Sequence, residues 1–521
     1  MRHAPHGGAL GLSLLLIATL GCGGQVSETL VPRPFDGVLT ESRLALSATP
    51  SFADERGGGI FVDLAGRVVR MRSNGSQGVI EAHPRNPVLP GPAGSVWALG
   101  PYNALVATDR GLFVAEQGWL ISPPWQDVLT SDGLVATAVG ENGVGWVAHA
   151  KGLFRLEGGA LSELQVEGSS VTGLTALAVG PAPDGAQGVW FAQGETLTSA
   201  SATSRTAYTV RDSGLSKAEL AGGVLAMAGL SASRDSPGEV WAITPSSLFQ
   251  FTVRGWRRYE LGRSPKQLMS SGRVAWLLAG DGLFRYDADT QRWGEARGLP
   301  AVPTLLAVDA AGVAWVRVGD RTLSVSPGPA PRLSGVFENM RVYEPELPVT
   351  GLVPASPAPA AIHWKLDDGE AHEVPLTSPL PGEGPTEGLL VFSLNGLEQA
   401  GKPRPVSFAA LEDGRHVLSL EVTYGEGAAA TTSARRLHFE FLGSATAVIS
   451  YERDLKAIND ARCAKCHSTG TQPELSTYEQ WKANAAAIAT AVRDRRMPAD
   501  GPLDPASIQA IQRWVNGGAQ P

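Results

Sequence analysis

Hydrophobic and polar positions along this chain follow three successive rhythms, and each predicts a different kind of element. From residue 56 to about 330, apolar runs come in pairs joined by a glycine. Trp146 opens a run that resumes at Gly152-Leu153-Phe154-Arg155, and Trp276 opens one that resumes at Gly282-Leu283-Phe284-Arg285. Trp241 leads to Leu248-Phe249 in the same way, and Trp190, Trp315, Leu105 and Phe61 lead to weaker copies. Such pairs predict β-hairpins. From 331 to 445 the pattern becomes period-two alternation, clearest in Arg436-Leu437-His438-Phe439-Glu440-Phe441-Leu442, which predicts half-buried strands. Beyond 446 the period lengthens to that of a helix. Tyr451, Leu455 and Ile458 share one face, as do Trp481, Ala485, Ile488 and Val492, and then Ile508, Ile511, Trp514 and Val515. Ser476 with Glu479 predicts a capping box at the start of the second helix, and the third is bracketed by Asp504-Pro505 and Asn516-Gly517.

The seven anchors at 61, 105, 146, 190, 241, 276 and 315 recur every 35 to 51 residues. A period of about 42 is that of one four-stranded blade of a β-propeller, and seven such units close a ring. A lone blade cannot bury its own faces, so the aromatic anchors are expected in the cores between neighbouring blades. His83 and His149 have no partner at metal-ligand spacing and are expected as surface or core residues. The Trp-Val-Ala-x-x-x-Gly-Leu-Phe-Arg pattern at 146–155 resembles the periplasmic propeller repeats of hybrid two-component sensors. That resemblance implies a fold and a binding role, and it supplies no catalytic residue. After Pro327–Pro331, the strands of 331–445 suggest an immunoglobulin-like (Ig-like) sandwich. Its Asp413-Gly414-x-His416-x-Leu418-x-Leu420 run resembles Ig-like modules that accompany propellers, with His416 expected as a cross-strand residue. The expected fold class is therefore multidomain and mainly β. A seven-bladed propeller spans 56–330, a sandwich 331–445 and a small all-α domain 446–521.

Composition agrees with this division and removes some functions. The 62 glycines and 37 prolines among 521 residues suit many turns between short strands. With 43 Lys+Arg against 51 Asp+Glu, the net charge of -8 offers no nucleic-acid-binding surface. Three cysteines exclude a disulfide framework, and their positions, 22, 463 and 466, point instead to attachment chemistry.

At the N-terminus, Arg2 and His3 precede an apolar run from Ala9 to Leu20, the length of a signal-peptide core and too short for a membrane span. Residues 1–22 are therefore expected to export the chain. Thr19-Leu20-Gly21-Cys22-Gly23 resembles a bacterial lipobox, with Thr19 standing where leucine is usual. The resemblance implies acylation of Cys22 and a lipid-anchored place in the bacterial cell envelope, facing the periplasm or the cell exterior. The alternative is ordinary secretion with cleavage nearby. Residues 23–55, polar and without periodicity, are expected as a tether.

The small helical domain is too short to bury a large core and needs a staple. Cys463-Ala464-Lys465-Cys466-His467 supplies one: two thiols at this spacing can bond the vinyl groups of haem, with the histidine beneath the iron as proximal ligand. Zinc would need four ligands, and this domain holds no further Cys or His. No histidine follows His467, and Met497 is the one methionine beyond Met340, which makes its thioether the candidate distal ligand. The segment from Tyr451 to Gly517 resembles class I c-type cytochromes. That implies one covalent haem c, with Trp514 packed near it and against the first helix; Arg495 and Arg496 either meet the haem propionates or lie exposed.

These expectations favour an electron carrier over a catalyst of substrate turnover. Its propeller and sandwich would dock a redox protein, another protein or a glycan. One alternative is a quinohaemoprotein-type dehydrogenase, although those propellers have eight blades. Another is a redox-sensing or ligand-binding envelope lipoprotein. Residues 446–521 carry 9 Lys+Arg and 8 Asp+Glu, so no strong steering field is expected from the helical domain.

Overall fold

The computed structural model describes residues 27–41 and 59–521, apart from 64, 72–76, 85, 88, 100–102, 117–118, 141–143, 158–159, 184–185, 202–219, 221, 254, 310, 356, 376–388, 399–400, 426–429, 444–448, 469–472, 494–495, 499–502 and 504. Cys22 and the rest of the N-terminal segment before Ser27 lie outside the described residues, as does Arg495.

Between residues 59 and 326, seven sheets follow one another among the described residues. Strands Ala93–Ala98, Leu134–Val139, Ala176–Pro181, Ala226–Leu230, Pro265–Ser271 and Thr304–Val308 form the inner edges of the second to seventh sheets, and neighbouring members of this series pack side by side around one axis. The ring is a β-propeller. Its blades form because the glycine pairs turn tightly: Val274–Ala279 returns as Gly282–Asp287 through Gly280-Asp281, with Gly280 at φ +59°, a conformation that an L side chain resists.

Leu105, Trp146, Trp190, Trp241, Trp276 and Trp315 all fall on the second strand of their sheets, and three tryptophans show what the anchors do. Trp190 packs among Phe249, Phe251 and Trp256 of the fifth sheet, Trp241 among Leu277, Phe284 and Trp293 of the sixth, and Trp276 among Leu305, Val316 and Leu323 of the seventh. Each is fully buried, and the Trp276 indole N–H donates to the Gly312 carbonyl at 3.0 Å. The last interface closes the ring: Phe61 of the first sheet meets Leu306, Ala307 and Trp315 of the seventh, with ring centroids 5.6 Å apart.

Residues 27–41 do not form a tether. β1 (Ser27–Thr29) adds in parallel to the outer strand Gly255–Glu260 of the fifth sheet, and β2 (Arg33–Asp36) in parallel to Arg292–Arg297 of the sixth. β3 (Val38–Glu41) pairs antiparallel with Arg321–Ser326 and supplies the fourth strand of the seventh. Leu30, Phe35 and Leu39 pack against the blades beneath; the missing side chain of Gly294 leaves room for the Phe35 ring, which lies edge-on to Trp276 at 6.3 Å. Strands this short carry too few residues to show a period, which is why the sequence reads as a linker.

The segment after the ring is a β-sandwich. A five-stranded sheet, whose longest strands are Gly414–Tyr424 and Thr431–Phe441, shares one core with a three-stranded sheet: Ile362, Trp364, Leu418 and Phe439 on one side, Leu333, Val353 and Phe392 on the other. His416 pairs across the strands with Phe439, and its ring nitrogens lie 2.7 Å from the Asp367 carboxylate and 2.7 Å from the Glu412 carbonyl. The sandwich is bonded to the ring. Arg332 reaches Asp309 at 3.0 Å, the same carboxylate that takes the Ala311 and Val313 N–H groups and the Trp315 indole. Asn339 donates to Ser231, and His438 sits between Glu338 at 3.1 Å and Asp289 at 3.7 Å.

One buried acid was not anticipated from the sequence. Glu239 accepts from Gln250 at 2.8 Å, Trp241 at 3.1 Å and Tyr286 at 3.2 Å, so it bridges the fifth and sixth blades. Burial raises its pKa above the ordinary value, and these three hydrogen bonds offset part of that. The folded state therefore holds the proton more tightly than the unfolded chain. The stability this contributes is present at low pH and is lost as pH rises through the raised pKa. Between about pH 5 and about pH 8, the Tm of the native chain should fall more than that of Glu239→Gln, as read by calorimetry at matched salt. Trp276→Ala should destabilise the ring by about 3–5 kcal/mol in denaturant titrations, since it empties an interblade site.

Candidate functional site

The chemistry-bearing residues lie in the C-terminal helices. The first is a helical run over residues 451–467, α1, whose turns alternate between α and the wider π geometry. Ser450 caps it by accepting from the Arg453 N–H. Tyr451, Leu455 and Ile458 are all buried, as their spacing predicts. The next helix is divided at Asn484 into α2 (Tyr478–Ala483) and α3 (Ala485–Arg493). Its capping box is not Ser476 with Glu479. It lies one residue later, with Thr477 accepting from the Gln480 N–H while the Gln480 side chain returns to Thr477. Gln480 also accepts from the Ser476 N–H, and Ser476 is drawn off to the Ser468 carbonyl. α4 (Pro505–Asn516) begins and ends where Pro505 and Asn516-Gly517 predict, closing with the Gly517 N–H on the Arg513 carbonyl.

The core of these helices is aromatic. Tyr451, Trp481 and Trp514 form a triangle with centroids 5.6, 5.9 and 6.3 Å apart, so Trp514 does pack on the first helix. The Trp481 indole donates to the Leu475 carbonyl and that of Trp514 to Gln520, which ties each ring to a chain segment outside the helices. Tyr343 of the sandwich belongs to this same core. Arg513 lies over its ring at 5.7 Å and donates to its carbonyl at 2.5 Å, which seats the helices on the sandwich. Nothing in the helical periodicity announces that seat, because Tyr343 is 170 residues away in sequence.

Cys463, Cys466 and His467 occupy the last turn of α1, at the i, i+3, i+4 spacing that brings side chains to one face. Cys463 is buried against the aromatic core, Cys466 is exposed, and the two thiols are not joined as a disulfide. His467 is half-buried, and its Nδ1 lies 2.8 Å from the Pro473 carbonyl. A carbonyl oxygen can only accept, so Nδ1 carries the hydrogen and the neutral ring presents its lone pair at Nε2. The Leu475 N–H on the His467 carbonyl, at 2.7 Å, holds the same loop from the other side. Pro473 is the partner that motif spacing did not name, six residues past the histidine.

Met497 follows α3, with its N–H on the Ala491 carbonyl at 3.3 Å; its side chain is 43% exposed while the next residue, Pro498, is buried. Arg496 is exposed. Among the described residues, no three His, Cys, Asp or Glu side chains converge to hold a bare metal ion, and no helix is long and apolar enough to cross a membrane. His83 is nearly buried and His149 fully so, with His149 bonded to Thr130 and to the Lys151 N–H. The axis of the propeller holds a cavity of about 550 Å³, walled by Trp97, Met227, Leu268 and Met269, with Glu338 and Asn339 from the start of the sandwich also lining it.

No family model and no curated protein matches the sequence. Solved structures align weakly. Virginiamycin B lyase from Staphylococcus aureus is 13% identical over 56% of this chain and 99% of its own, with a TM-score of 0.38. PorZ of the type-IX secretion system of Porphyromonas gingivalis is 11% identical over 76% of this chain and 68% of its own, at 0.41. The extracellular domain assigned to a hybrid two-component system of B. thetaiotaomicron is 11% identical at 0.39; the match covers 78% of this chain and 60% of that one. The fold assignment rests on the sheets and cores described above. Thr477→Ala should cost about 1 kcal/mol of helical-domain stability, whereas Ser476→Ala should cost less, which chemical unfolding followed by Trp fluorescence would resolve.

Proposed function

We propose that this chain is an exported, lipid-anchored, monohaem c-type cytochrome that transfers electrons, with the propeller and sandwich as binding or docking modules. The observation that carries this reading is the last turn of α1. Two thiols and an imidazole share one face there, and the Pro473 carbonyl fixes the imidazole tautomer that leaves Nε2 able to bind a metal. The thiols of Cys463 and Cys466 would each add their S–H across one vinyl group, losing no atom and forming two thioethers. His467 Nε2 would bind the iron. In this division of labour the sulfurs would bond the porphyrin and not the metal.

When bound, haem c supplies one-electron Fe(II)/Fe(III) chemistry. What the chain contributes is position. Pro473 orients His467, and Cys463 would tie the porphyrin to the core formed by Tyr451, Trp481 and Trp514, with Trp514 the ring proposed nearest to it. Met497 is the proposed distal ligand, as the one methionine beyond Met340 and with a side chain open to solvent in the loop after α3. The seven blades among the described residues also differ from the eight expected of quinohaemoprotein dehydrogenases. The expected redox partner is a protein, and the central cavity is the natural place for a protein loop or glycan to enter.

Full-length protein produced with a haem-attachment system should give a covalent c-type pyridine haemochrome with one haem per chain. Cys463→Ala with Cys466→Ala should abolish it. Met497→Ala should convert a six-coordinate low-spin spectrum to one that binds imidazole or cyanide more readily, and should lower the reduction potential. A chain that takes up no haem would overturn the reading, and a spectrum unmoved by the Met497 substitution would remove the distal ligand.

A further inference from the structure

The N-terminal strands fix where a lipid at Cys22 would hold the molecule, and this step rests on the anchoring proposed above. β1 begins at Ser27, five residues after Cys22. Fully extended chain spans at most about 3.6 Å per residue, so Ser27 can stand no more than about 18 Å from the acylated residue. The leash cannot lengthen without stripping β1 and β2 from the ring. That would expose Leu30 and Phe35 and break the parallel pairing to the fifth and sixth blades. The start of β1, on the outer edge of the fifth blade, is therefore held within about 18 Å of the acylated residue.

That rim has the chemistry for the contact. Arg33 on β2, Arg257 on Gly255–Glu260, and Arg292 and Arg297 on Arg292–Arg297 are all exposed, as is Glu260, while the acidic residues of β1 and β2 are Glu28 and Asp36. Val31, between β1 and β2, is 81% exposed. The fourth strand of the third blade, Ala160–Val166, carries exposed Glu163 and no arginine. Cationic side chains within a Debye length, about 8 Å, of an anionic leaflet are attracted to it. We propose that the rim of the fifth and sixth blades, built on β1 and β2, is a membrane-docking surface that lies on anionic phospholipid headgroups. The propeller then stands on edge, with its axis along the membrane plane and its central cavity turned away from the bilayer.

The test uses the full chain, reconstituted into vesicles of phosphatidylethanolamine and phosphatidylglycerol. The photo-crosslinking residue p-benzoylphenylalanine is placed singly at the exposed positions 33, 257 and 163. Lipid adducts are quantified by mass spectrometry, and the acylation of Cys22 is read from the N-terminal peptide of the same samples. The expected result is acylated Cys22, with adducts at 33 and 257 several-fold above those at 163. Acylated Cys22 with equal adducts at all three positions, or with most at 163, overturns the docking surface and leaves the anchor standing. An unacylated Cys22 overturns the anchor and the docking surface together.

Discussion

Closure of the ring is the constraint on which the rest of the structure depends. A blade is hydrophobic on both faces, so an open row of seven would leave two large apolar faces in water. The first and seventh sheets remove that cost by packing Phe61 on Trp315, and β3 completes the seventh sheet from the far end of the propeller chain. The strand before the ring and the last blade within it are thereby joined by backbone hydrogen bonds, so the ring resists opening at its one covalent gap. Asp309 extends the same joint outward. Its carboxylate organises the turn beside Trp315 and receives Arg332 at the start of the sandwich.

From that joint the structure passes through a second and a third contact. Burial and ion pairing meet at the ring–sandwich seam, where His438, Glu338, Asp289 and Arg435 lie together. The adjacent His438 holds Glu338 below its usual pKa against the opposing effect of burial. Charges withdrawn from water in this way contribute little net stability, but separating them is expensive once they are paired, which sets the orientation of the two bodies. The sandwich then carries the helices on Tyr343. The helical unit is too small for a large core, and it borrows this ring to enlarge its own.

Much of this was legible from residue order because it is local. The glycine hairpins, the burial of Tyr451, Leu455 and Ile458, and the start and stop of α4 all follow from interactions spanning a few residues, where backbone geometry and side-chain period act directly. The shift of the capping box from Ser476 to Thr477 shows the limit of that rule. Two adjacent hydroxyl residues both satisfy the motif, and a bond from Ser476 to the Ser468 carbonyl, eight residues back, decided between them. Residues 27–41 failed for a different reason. Their strands are three or four residues long and take their partners from more than 230 residues further along the chain, so no local signal marks them.

The sequence by itself determined the repeat and its likeness in each blade, the change from strands to helices near residue 446, and the clustering of two thiols and an imidazole on one helical turn. Periodicity and i, i+3, i+4 spacing are properties of short stretches, and they survive without a fold. Only the tertiary structure decided that the polar N-terminal segment is woven into three blades, that Glu239 is buried between two of them, and that Pro473 selects the histidine tautomer. It also decided that the helices sit on Tyr343. Each of these depends on which distant groups are brought within hydrogen-bonding or packing distance, and that is set by closure of the ring and the stacking of the bodies upon it.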